Sequence, residues 1–221
     1  MGRVKHQRYT EAQALPNIFM IELNRYEPPE PDRIWDASFF KNNAPVSVEL
    51  GCGKGDYTVA LARAYPDRNF IGIDIKSDRM YRGAKIAQDD GLENVCFIRL
   101  RVEYLTAFFP AFFFEEAWIP FPDPRLDHPS GRGRLTSARF LDIYRRIMKP
   151  GGRLHLKTDN PVMYAFSIQT ISEAGGTLHA YTDDLYASPE KAGPLVTKVQ
   201  TTFEQRYLQQ GVPIKYICFS V

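Results

Sequence analysis

Cysteine is scarce in this chain: three residues in 221, Cys52, Cys96 and Cys218, all far apart. That spacing holds neither the paired thiols of a zinc site nor the framework of a disulfide-stapled domain, and a reducing cytoplasm is the expected compartment. No apolar run approaches the roughly 18 residues that a membrane span requires, so no membrane partner is expected. The opening MGRVKHQRYTEAQ lacks the apolar stretch of a secretion signal. His6, His128, His155 and His179 are scattered without metal-ligand spacing, so no metal is expected and each reads as a surface or core histidine. Internal repeats and low-complexity segments are also missing. Charge of one sign is not in excess: 28 Lys and Arg against 26 Asp and Glu leave +2, which permits an RNA partner without demanding one. Basic residues do cluster locally, as Arg3, Lys5, His6 and Arg8 and again as Arg125, Arg132, Arg134 and Arg139. Solvated surface charge accounts for either cluster equally well.

What the chain has is apolar material, 44% hydrophobic and 13% aromatic, enough to fill the core of one large domain. Residues 24–33, rich in proline and acid, read as an extended linker. The expected division is an N-terminal extension with linker over 1–43 and a domain over 44–221. Seven strands are predicted at Val46–Leu50, Asn69–Asp74, Val95–Arg99, Glu115–Phe121, Arg153–Thr158, Thr177–Tyr181 and Ile214–Phe219. Between them, Tyr57, Ala60, Leu61 and Ala64 recur at helical spacing, as do Phe140, Ile143, Tyr144 and Ile147. The stretch Ser77–Asp90 is helical in composition, with Gly91 as its stop. Such alternation predicts an α/β fold, a mostly parallel seven-stranded sheet with helices on both faces. Ligands of such sheets bind beyond the carboxyl ends of the strands, near the switch in strand order. The phenylalanines at 108–109 and 112–114 flank a strand and are expected to pack in the core.

The run Glu49-Leu50-Gly51-Cys52-Gly53-Lys54-Gly55 closes a strand and opens a helix. Glycine tolerates positive φ and lets a backbone approach a ligand closely. The spacing is G-x-G-x-G, not the G-x-G-x-x-G of dinucleotide binders, and Glu49 precedes it. A carboxylate there suits a cationic ligand better than a diphosphate. The sulfonium and ammonium of S-adenosylmethionine fit. Asp74 ends the second strand 19 positions after Gly55, where a carboxylate accepts the hydroxyls of an adenosine ribose. A ligand-free turn remains the alternative for the glycines, and an acid opening the next helix the alternative for Asp74.

After the fourth strand comes Phe121-Pro122-Asp123-Pro124-Arg125. Prolines fix their own φ and push the preceding residues toward extended geometry, so Asp123 stands on a stiff backbone suited to positioning a carboxylate. A proline turn that merely ends a strand is the alternative. Taken with Glu49–Gly55, Gly72-Ile73-Asp74, Thr158-Asp159 and Thr201-Thr202-Phe203-Glu204, this segment resembles the bacterial tRNA (guanine-N7)-methyltransferase family, motif by motif and in order, over residues 44–220. The F-P-D-P and T-x-F-E segments discriminate, since glycine loops are common to most methyltransferases.

The resemblance implies a class I, Rossmann-like S-adenosylmethionine-dependent methyltransferase with tRNA as partner and the variable-loop guanine, conventionally position 46, as target. It implies donor contacts from Glu49, Gly51, Gly53, Gly55, Asp74 and Asp123, and places Asp123 at the catalytic centre. It implies substrate contacts from Asp159, Thr201, Thr202, Phe203 and Glu204. Two departures stand out. Arg101 occupies the donor-binding position where relatives carry an acid, with Glu103 two residues on. In the stretch after Pro124, basic in relatives, Asp127 takes a substrate-side lysine position. Monomer and homodimer both stay open.

Guanine N7 has a lone pair and no proton, so its methylation needs no general base, which fits the scattered histidines. Phosphate contacts are expected from Lys5, Arg8, Arg132, Arg134 and Lys157. Competing readings are a methyltransferase for another substrate, a donor-binding module that holds tRNA without catalysis, and a nicotinamide oxidoreductase. Glycine spacing and Glu49 disfavour the last.

Overall fold

The computed structural model describes residues 3–21, 37–128 and 130–221. In chain order the elements are α1 (Arg3–Ala14), β1 (Ile18–Met20), β2 (Val46–Leu50), α2 (Asp56–Ala64), β3 (Asn69–Asp74), α3 (Ser77–Asp89), β4 (Val95–Arg99), α4 (Leu105–Phe108), β5 (Phe114–Pro120), α5 (Ala138–Ile147), β6 (Met148–Thr158), α6 (Pro161–Glu173), β7 (Thr177–Thr182), α7 (Pro194–Lys198), α8 (Thr202–Gln209) and β8 (Lys215–Ser220). The strands form one sheet in the order β1-β4-β3-β2-β5-β6-β8-β7. Every pairing is parallel except those of β8, which runs antiparallel to β6 and β7.

Strand order reverses at β2, with β3 on one side and β5 on the other, and the crevice above this switch is where a parallel sheet receives a ligand. The strands there are buried on both faces, so they read as apolar runs. Alternate side chains feed two cores. Val48, Leu50, Ile71, Ile73 and Ile98 pack with Phe140, Tyr144 and Met163 of α5 and α6. Phe70, Val95, Phe97 and Trp118 pack with Tyr57, Leu61, Met80 and Ala84 of α2 and α3.

Phe97 shapes the second core. A Cβ at Gly55 would meet its ring at 2.5 Å, and one at Gly72 at 2.7 Å. Both positions stay glycine-sized because the ring occupies the volume, which lets α2 and β3 close on β4. The aromatic run is divided: Phe108, Phe109 and Phe114 are buried, whereas Phe112 is exposed with φ 55°.

Among the described residues the sheet has eight strands where seven were expected. The added strand β1 lies in the N-terminal extension and pairs with β4, Ile18 opposite Phe97. Asn17 secures it, its side-chain Nδ2 donating to the Ala84 carbonyl at 3.0 Å while its backbone carbonyl accepts the Phe97 amide at 2.8 Å. Three residues are too few to show period-two alternation. β5 also ends one residue before its predicted limit, because Phe121 turns to φ 52°. The linker expected over 24–33 lies outside the described residues.

Substituting Gly72→Ala should lower unfolding free energy by roughly 1–3 kcal/mol through overpacking against Phe97. Urea denaturation of the variant and the parent checks this.

Candidate active site

A cleft of about 570 Å³ opens at the carboxyl ends of β2, β3, β4 and β5, and the N-terminus of α8 forms part of its wall. The glycine loop is its floor. Gly51 and Cys52 donate their amides to the Ile73 carbonyl at 2.8 and 2.9 Å, tying the loop to the end of β3. Gly51 and Gly53 adopt φ of 77° and 55°. No atom lies within 4 Å of a Cβ built at Gly51, so that backbone faces open space.

Asp74 holds this loop. Its carboxylate accepts the Gly53 amide at 2.8 Å and the Lys76 amide at 2.9 Å, one on each oxygen. Each oxygen keeps a second lone pair for a ligand hydroxyl. Glu49 lies deeper, 4% exposed, and accepts the Thr58 hydroxyl. Burial pushes its carboxyl up to about 8, against the lowering effect of Thr58 and with a smaller push from the nearby Asp74. The Tyr57 hydroxyl, buried with no hydrogen-bond partner among the described residues, belongs to a side chain that lines the same cleft. Open glycine backbone, the accepting oxygens of Asp74 and the Glu49 carboxyl together fit an adenosyl ligand bearing a cation.

Gly55 departs from the expectation. It does not line the cleft; its role is to admit Phe97 and Gly83 behind the loop. Arg101 and Glu103 both line the cleft, but they bond each other at 3.2 Å, and Arg139 adds a second guanidinium to Glu103 at 2.9 Å. Partial burial works to raise the Glu103 carboxyl, yet its backbone hydrogen bond and the two arginines bring it below the usual range.

On the opposite wall stand Phe121–Asp123, Arg125 and Thr201–Phe203. The side chain of Asp123 is 70% exposed, accepts the Arg125 amide at 3.0 Å and faces the Arg125 guanidinium at 3.4 Å. The ring of Phe203 is exposed to the cleft, and Thr202 donates to Asp56 at 2.8 Å, joining α8 to α2.

Several substrate-side expectations need correction. Glu204 is 0% exposed and cannot meet RNA directly; it pairs at 2.7 Å with Lys157, itself 1% exposed. It also accepts the Tyr186 hydroxyl at 2.8 Å and completes a capping box with Thr201 at the start of α8. Lys157 is thereby removed from phosphate contact. Arg134 is buried too, donating to the Pro124 carbonyl at 2.7 Å and stacking on Phe166. Asp127 is exposed beside His128, and Asp159 is half-buried at the end of β6 against Tyr207; neither lines the cleft. Arg8 and Arg132 are exposed, and the Lys5 side chain lies outside the described ones.

Sequence reasoning missed Thr58, Tyr57 and the Lys157–Glu204 pair. Only the last left a readable trace: Thr-x-x-Glu before a helix is the pattern of a capping box.

The fold and cleft define an S-adenosylmethionine-dependent methyltransferase of class I. Among solved structures, the chain is similar to the 16S rRNA methyltransferase KamB, with TM-score 0.61 and 18% identity over 85% of this chain and 94% of that one. A family model described as a putative methyltransferase matches residues 43–217. The tRNA (guanine-N(7)-)-methyltransferase of Christiangramia forsetii is 44% identical, covering 85% of this chain and 83% of the relative. That of Cytophaga hutchinsonii is 37% identical over 99% of this chain and 98% of the relative. The chain belongs to the tRNA (guanine-N7)-methyltransferase family.

Two outcomes follow. Glu204→Gln leaves a buried ammonium unpaired and should cost roughly 3–5 kcal/mol, while adding Lys157→Met should recover most of it, as read by chemical denaturation. The raised Glu49 carboxyl contributes stability that is full below pH 4.5 and lost as pH rises through about 8. Free protein should therefore lose stability across that window, and Glu49→Gln should flatten the loss in a melting series against pH.

Proposed function

We propose that this protein transfers the methyl group of S-adenosylmethionine to N7 of a guanine in tRNA, at the variable-loop position 46. The observation that carries this reading is that one cleft gathers Glu49 and Asp74, at the ends of β2 and β3, with Asp123, just beyond the end of β5. S-adenosylmethionine, when bound, supplies a methyl group made electrophilic by its sulfonium. Glu49 offers a carboxylate to the donor's cationic end, and Asp74 offers its free lone pairs to ribose hydroxyls. Gly51 and Gly53 leave room for close backbone approach, while Arg101 and Glu103 border the end of the pocket beyond β4. Residues 44–221 form the catalytic domain.

Asp123 is the catalytic residue. Its carboxylate accepts from the N1–H and N2–H2 edge of guanine, orienting N7, and offsets the positive charge that develops on the purine. No side chain has to remove a proton, because N7 carries none. The remaining requirement is alignment, which contributes on the order of 7–11 kcal/mol in well-oriented reactions. Thr201, Thr202 and Phe203 complete the acceptor wall, with the exposed Phe203 ring suited to stacking on a splayed base. Three free cysteines, all buried, suit a cytoplasmic protein. No helix among the described residues is long and apolar enough to cross a membrane.

Mass spectrometry of tRNA nucleosides after incubation with protein and donor should show 7-methylguanosine. With Asp123→Asn its rate of formation should fall about 10²–10³-fold while donor affinity stays near the parent's. Equal rates would remove Asp123 from catalysis. An absence of 7-methylguanosine with the parent protein would remove the function itself.

A further inference from the structure

Two of the cations expected to meet the tRNA backbone are withdrawn from it, while Arg132 stays exposed. Lys157 is sealed beneath α8 with Glu204, and Arg134 is buried under the turn it supports. Asp127 adds negative charge to the same stretch. Yet an RNA ligand presents phosphates that only cations or amide groups can meet. Arg125 is an exposed guanidinium that this wall presents directly beside Asp123.

Its exposure and its backbone geometry both place Arg125 there. Its side chain is half-exposed and lines the cleft beside Asp123. Its backbone lies in the left-handed region at φ 47°, which a residue with a side chain adopts only when its surroundings impose it. Those surroundings are visible. Arg134 Nε holds the Pro124 carbonyl at 2.7 Å, just before Arg125, and the Arg125 carbonyl accepts the His128 amide at 3.2 Å. The turn continues through Gly131, Arg134 and Ser137 into α5, each amide bonded three residues back. Buried Arg134 thus serves as the brace and Arg125 as the presented charge.

In the free protein that charge faces Asp123, Nε to Oδ2 at 3.4 Å. An exposed pair of this kind is weak and readily exchanged. We infer that Arg125 is a tRNA-phosphate contact that leaves Asp123 for a phosphate next to the target nucleotide, freeing the carboxylate for the guanine edge. The exchange conserves ion pairing: the guanidinium trades carboxylate for phosphate as the carboxylate gains the base. It also makes Asp123 available when a polyanion occupies the wall. The inference rests on the proposed tRNA methylation.

The experiment is tRNA binding by the parent, Arg125→Gln and Arg125→Lys proteins, each with S-adenosylhomocysteine, across about 0.05–0.3 M salt. Arg125→Gln should flatten the slope of log K against log salt by about 0.9 and weaken binding roughly eightfold at 0.1 M, the effect of one lost phosphate contact. Arg125→Lys should keep the slope, and S-adenosylhomocysteine affinity should be unchanged in all three. A parental slope in Arg125→Gln overturns the inference while leaving the proposed function intact. Failure of the parent protein to form 7-methylguanosine overturns both.

Discussion

Lys157 and Glu204 form an ion pair closed to water, and the acceptor side of the cleft hangs on it. The lysine sits at the end of β6 and the glutamate in the first turn of α8, so one contact joins the sheet to the helix that carries Thr201, Thr202 and Phe203. Burying both charges is expensive, and burial alone pushes the Lys157 ammonium down from its ordinary value, with Glu204 opposing that drop. The surrounding hydrogen bonds make the arrangement tolerable: Lys157 also donates to the Val199 carbonyl, and Glu204 also receives Tyr186 and the Thr201 amide. The pair therefore sets position more than it adds stability. It defines where the helix begins, and with it where an exposed aromatic ring meets the cleft.

The donor side is organised differently, by backbone amides in place of a buried salt bridge. Asp74 receives two of them and Ile73 two more, so the glycine loop is fixed before any ligand arrives. Preorganisation of this kind spares a ligand the entropy of ordering the loop. Glu49 behind the loop completes the contrast, since a carboxyl held up to about 8 is close to neutral charge in the free protein. A cation entering the cleft favours its ionised form, so donor binding and proton release are linked.

The central strands and the helices that cover them were legible in the sequence because burial on both faces leaves short, mostly apolar runs and helices leave a 3.6-residue period. Glu49, Asp74 and Asp123 could be singled out as candidates because each lies close to the carboxyl end of a strand, the ligand side of such a sheet. Other features were hidden for identifiable reasons. β1 is too short for any periodicity and gains its pairing from tertiary contacts. Gly55 belongs to the motif yet answers to Phe97, which stands 42 positions later in the chain. Glu204 and Arg134 carry charge, and charge reads as surface until partners such as Lys157 and the Pro124 carbonyl are known.

The extension before the domain also settles how the sheet ends. Parallel β4 would otherwise offer unpaired amides and carbonyls along a flat apolar margin, a template for any other chain. β1 fills that margin, and α1 lies against α3 beside it. The opposite margin, β7, needs no cover: Thr177, His179 and Tyr181 face solvent, and its pairing with β8 is irregular between Leu178 and Ala180. One border thus ends in an edge strand of only three residues, and the other is kept wet and kinked. A shortened version lacking residues 1–21 would keep every cleft residue, yet expose a sticky rim and drift toward self-association.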